Sequence, residues 1–157
     1  MNTRTPSGAA LRALVPDIMA EHADIVWRFD DHVDGLRVVL SPTAAPERVA
    51  SLLVHRGEEV FVVELGTYLG VTFEYDEDEK PNELRDRLAT AVSALRGPSR
   101  LVLTYAGDKQ TSSQLVLAPD SPDEHSDGIW VHRLTTELAW RLRLRRLRQG
   151  VLEFPPI

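Results

Sequence analysis

The order of elements along this chain predicts an α+β fold, a mainly antiparallel sheet packed with an N-terminal helix, a central amphipathic helix and a C-terminal arginine-rich helix. Three observations carry it. Asp34-Gly35 is a tight-turn dipeptide between two apolar runs, and residues 59–65 (EVFVVEL) are apolar on both faces. Leu84, Leu88, Ala91, Val92 and Leu95 repeat at helical spacing up to a Gly97-Pro98 stop. With 157 residues and no cysteine, the chain can bury one sizeable core without disulfide or thiolate-metal staples, so residues 1–157 read as a single domain.

Taken in order, Leu11, Leu14, Val15, Ile18, Met19 and His22 share one helical face, with Ser7 ahead of them as a cap. Pro16 is expected to kink or restart this helix, because it lacks an amide donor and crowds Val15. Residues 25–33 and 36–41 then form a hairpin. A two-residue Asp34-Gly35 turn would pair Val33 with Leu36 and Phe29 with Leu40, placing them with Trp27 on an apolar face and Arg28, Asp30 and His32 on the other. Residues 46–56, opening on Pro46 and closing at Gly57, read as a short helix through Val49, Leu52 and Leu53; a strand over residues 49–54 is the alternative. Residues 59–65 and 69–75 are expected as central strands. Residues 100–105 and 114–118 read as two more, joined by the polar loop GDKQTSS, and residues 119–127 as a proline- and acid-rich surface loop. Beyond Ile129 two periodicities compete. Leu134, Leu138 and Leu142 suit a helix ending at Gly150, whereas RLRLR at 141–145 alternates like a strand, and the good helix formers favour the helix.

Charge is distributed unevenly. Residues 74–79 read EYDEDE and residues 141–148 read RLRLRRLR, within a net charge of −6. The last 17 residues carry +4, which leaves −10 on the rest. So acidic a body disfavours general nucleic-acid binding, which needs a basic footprint to displace counterions. The arginine stripe reads as the solvated face of a helix, as a contact for an acidic partner, or as a site for nucleic acid or anionic lipid. No apolar run approaches the length of a membrane span and the first residues lack the apolar core of a secretory signal, so a cytoplasmic protein is expected.

Candidate chemistry is sparse. Asp30, Asp31, His32 and Asp34, and Asp123, Glu124, His125 and Asp127, each join an imidazole to hard carboxylates, and together they would suit a small metal-dependent enzyme. Both segments also read as polar turns, and neither has a helical HExxH arrangement. There is no nucleophile elbow, phosphate loop or dinucleotide fingerprint, and Gly107-Asp108-Lys109 reads as a solvated turn. His22, His55 and His132 fall at element ends or beside apolar residues, where structural roles prevail. The expectation is therefore a chain without catalytic residues, cofactor or metal.

The acidic run has the most functional content. It leads into the central helix, whose positive end favours carboxylates, and it can attract a basic protein while Tyr75 inside it, with Tyr68 and Phe73 nearby, supplies an aromatic anchor. Glu74, Tyr75, Asp76, Glu77, Asp78 and Glu79 are the expected partner-binding residues. The blocks EEVFVVELG, LGVTFEYDEDE and the helix ending ALRG, spanning residues 58–97, resemble small α+β immunity proteins of bacterial polymorphic-toxin systems. The resemblance implies a cytoplasmic protein that neutralises a toxin by binding it, without catalysis. The remaining alternatives are the metal-dependent enzyme and a regulatory nucleic-acid-binding protein acting through the C-terminal arginines.

Overall fold

The computed structural model describes residues 9–131 and 147–157. They form α1 (Ala9–Met19), β1 (Ile25–His32), β2 (Gly35–Pro42), β3 (Ala50–His55), β4 (Val60–Leu65), β5 (Tyr68–Phe73), α2 (Lys80–Arg96), β6 (Ser99–Ala106), β7 (Lys109–Leu117), β8 (His125–Val131) and β9 (Leu147–Phe154). The class is α+β, with two antiparallel sheets: a meander β1-β2-β3-β4-β5, and a four-stranded sheet ordered β8-β7-β6-β9.

Helix α2 ties the sheets together. Its Leu84, Leu88, Ala91, Val92 and Leu95 are buried as the stripe predicts, and they join one continuous core with α1, the inner face of the first sheet and Leu101, Leu103, Leu115 and Leu117 of the second. Burying each such leucine contributes about 1.5–3 kcal/mol. Helix α1 is continuous through Pro16, so it does not restart there, and it buries Leu11, Val15, Ile18 and Met19. It ends before His22, and Ser7 lies outside the described residues.

The first hairpin forms with a shifted register. His32 pairs with Gly35, Trp27 with Leu40 and Phe29 with Val38, so the turn is Val33-Asp34 and not Asp34-Gly35. The shift changes partners by two positions, which preserves the faces: Val38 and Leu40 are buried while Trp27 and Phe29 pack at the core's edge. Val33, expected on the apolar face, is exposed at the turn. Gly35 is required by its neighbour strand, since a Cβ there would sit 2.0 Å from the Val54 carbonyl oxygen.

Residues 50–55 are the strand β3, not the short helix expected over residues 46–56. Ala50, Ser51, Leu52, Leu53 and Val54 are all buried, because this strand is central and covered on both faces. Strand β4 is interior as expected, but β5 is an edge of its sheet and leaves Val71 and Phe73 exposed. Strands β6 and β7 reach much further than expected, leaving only Gly107-Asp108 as the turn. The polar stretch tolerates a strand because its inward hydroxyl is satisfied: Ser113 Oγ is buried and donates to the Thr67 carbonyl at 3.1 Å. Gly150, the expected helix stop, lies inside β9 opposite Leu103, so no C-terminal helix reaches it. Leu134, Leu138, Leu142 and the arginines at 141–146 lie outside the described residues. None of the described helices is long and apolar enough to cross a membrane.

Candidate functional site

Residues 74–79 connect β5 to α2, at the helix end where free amides favour negative charge. The loop is shaped by its own carboxylates. Glu74 Oε1 accepts from the Asp76 amide and Asp76 Oδ1 from the Asp78 amide, each at 2.9 Å, while the Asp76 carbonyl accepts from the Glu79 and Lys80 amides. Pro81 opens the helix where a missing donor costs nothing. Glu77 Oε1 lies 2.5 Å from Lys80 Nζ, whose side chain is buried, and Glu79 Oε2 accepts from Asn82 Nδ2 at 3.1 Å. Asp78 is the run's one carboxylate that no described contact engages.

Beside the loop, the Phe73 and Tyr75 rings stack with centroids 6.4 Å apart and planes 16° from parallel. They are 58% and 68% exposed, and this aromatic surface adjoins the densest negative charge in the chain. Tyr75 was legible as an anchor from its position. Phe73 was legible as a nearby aromatic, but its exposure was not, because that follows from β5 being a sheet edge.

The turn segments preceding β2 and β4 emerge at the same end of the sheet as this loop. The Arg56 amide donates to the Asp34 carbonyl at 2.7 Å, and the Glu74 amide to the Glu59 carbonyl at 3.0 Å, so all three segments are bonded edge to edge. Between the first two lies a recess of about 200 Å³ lined by His32, Gly35, Leu36, Val54, His55, Arg56 and Glu58. Asp34 Oδ2 is 3.6 Å from His32 Nδ1, and Asp30 faces Arg28 at 3.8 Å.

The two Asp/His segments are used separately. Asp123 and His125 make local turn contacts, with His125 Nδ1 2.9 Å from the Asp123 carbonyl, whereas the Asp127 side chain is only 8% exposed and sits between the sheets. Asp127 accepts from the Tyr68 hydroxyl at 2.7 Å and pairs with Arg87 at 3.2 Å. Burial, reinforced by the Asp127 carboxylate, raises the Tyr68 phenol above its ordinary range. Among the described residues Arg87 Nε finds no hydrogen-bond acceptor; it lies 3.5 Å from Glu83 Oε1, which accepts from Thr72 Oγ1. Nothing in sequence spacing links Tyr68, Arg87 and Asp127, and sequence reasoning missed this network. Among the described residues no three His, Asp or Glu side chains are grouped to hold a metal ion.

Several other charged groups have structural partners. Arg96 grips Asp24 and approaches His22 Nδ1 at 3.2 Å; its guanidinium holds the Asp24 carboxyl down at about 2. Of the arginine stripe only Arg148 is described, and it lies over the Tyr105 ring at 4.9 Å. His132 lies outside the described residues. No family model, curated protein or solved structure matches this chain.

Proposed function

We propose that the protein is a non-enzymatic binding module, an immunity-type inhibitor that neutralises a basic toxin domain through residues 74–79. The observation that supports this best is the exposed Phe73–Tyr75 stack beside the acidic loop. Concentrated negative charge accelerates encounter with a basic protein, and exposed aromatic area supplies the contact that slows release. The loop's internal hydrogen bonds hold it in one shape before binding, which lowers the ordering cost of association.

The test is co-purification of the full chain with the products of its neighbouring genes, followed by binding kinetics of the recovered pair. Replacing Asp76, Glu77 and Asp78 with Asn, Gln and Asn is expected to slow association on the order of tenfold and flatten its salt dependence. Tyr75→Ser is expected to speed dissociation. Association unchanged by the triple replacement places the interface elsewhere, and recovery of no protein partner removes the reading.

A further inference from the structure

The end of the first sheet that carries the acidic loop gathers charge from three distant stretches of sequence. Because β1 to β5 run as an antiparallel meander, residues 30–34, 56–59 and 74–79 all emerge there, joined by the Arg56–Asp34 and Glu74–Glu59 backbone bonds. These segments hold ten of the chain's 24 acidic residues against one cation, Arg56. At their centre His32, Gly35 and His55 form one cross-strand row, and all three line the recess of about 200 Å³. Gly35 cannot be given a side chain without meeting β3, so the gap is built into the strand spacing.

We propose that this recess receives an arginine side chain of a basic protein partner, so that the partner's footprint spans all three turn segments and not the 74–79 loop alone. The proposal rests on the partner-binding reading above. Below roughly 300 Å³ a cavity is small for a cofactor or a drug-sized ligand, yet it accommodates one long side chain. Leu36, the half-buried apolar residue of the lining, offers apolar wall to the methylene stem, and the imidazoles offer planar faces on which a guanidinium stacks. Glu58 in the lining, and Asp34 beside the lining residue His32, supply negative charge. Arg56, the cation within these three segments, also lines the recess and opposes the incoming charge; it acts there as a brake on binding.

The experiment titrates the isotope-labelled full chain with a nona-arginine peptide at low salt and follows backbone amide resonances. The expected result is saturable shifts at Gly35, His55, Arg56 and Glu58 alongside those of residues 74–79. His55→Trp, which fills the recess, abolishes the first set and leaves the second. Arg56→Gln, an exposed change that needs no repacking, tightens binding roughly two- to fivefold, the scale of one surface charge. Shifts confined to residues 74–79 overturn the recess proposal and leave the loop reading standing, whereas shifts at neither overturn both. If His55→Trp fails to fold, Arg56→Gln decides: unchanged or weaker binding overturns the proposal.

Discussion

Two acidic regions of this molecule, the 74–79 loop and the Asp127 network, use the same carboxylate chemistry to opposite ends. The loop's carboxylates are largely exposed and turned on their own backbone or on residues one helical turn away. Asp127 is nearly buried and joins β5, α2 and β8 through Tyr68 and Arg87. Water screens the first group, so its individual contacts contribute little to folding and its summed field is available to a partner. The second group is shielded, so each partner removed strands a desolvated charge or hydroxyl. Environment, more than residue type, separates a recognition surface from a structural joint.

The sharpest way to test that contrast is Asp127→Ala. It removes the acceptor of the Tyr68 hydroxyl and of Arg87 Nη1 while Glu83 and Thr90 still engage Arg87, and urea unfolding should show a loss of about 3 kcal/mol, the low end for a broken buried pair. A loss below about 1 kcal/mol would show the network to be solvated and the contrast void. Next comes Gly70→Ala, whose new Cβ would fall 2.7 Å from Asp127 Oδ2 and 2.9 Å from the Tyr68 hydroxyl. Overpacking at that joint should cost about 1–3 kcal/mol in the same assay.

Tyr68→Phe keeps the ring and removes one hydrogen bond, with an expected cost of about 1–2 kcal/mol near neutral pH. Its pH dependence sharpens the point. Burial first, and the Asp127 hydrogen bond second, raise the folded-state Tyr68 above the ordinary tyrosine value of 10.0. Its contribution is therefore complete below pH 10 and declines as pH climbs toward the folded-state value, because the unfolded chain ionises first. The stability gap between wild type and Tyr68→Phe should narrow above pH 10; a gap that widens there contradicts the assignment. The smallest effect belongs to the loop: Asp78→Asn should change stability by less than about 0.5 kcal/mol while slowing association with a basic partner, as denaturant titration and stopped-flow mixing would show.

Legibility followed the range of the interactions. The α2 stripe from Leu84 to Leu95, its stop at Gly97 and the apolar faces of the first hairpin were readable, because helical and strand periodicities report local geometry. The hairpin register was misread since the need for Gly35 comes from Val54 on another strand. Residues 50–55 were misread because a strand covered on both faces has lost the alternation that would mark it. The polar stretch after Gly107 became strand because Ser113 finds an acceptor 46 residues away.

For the candidate site, sequence alone determined the acidic run and the aromatic Tyr75 inside it, since both lie within six consecutive residues. Tertiary structure decided that Phe73 stacks on Tyr75, that the turns at Asp34 and Glu58 flank a common recess, and that Asp127 is buried on Tyr68 and Arg87 while His125 stays in its local turn. A contiguous charge run is a property of the chain. A pocket or a buried ion pair is a property of the pairing that brings distant residues together, and that pairing is selected by the burial of the whole core.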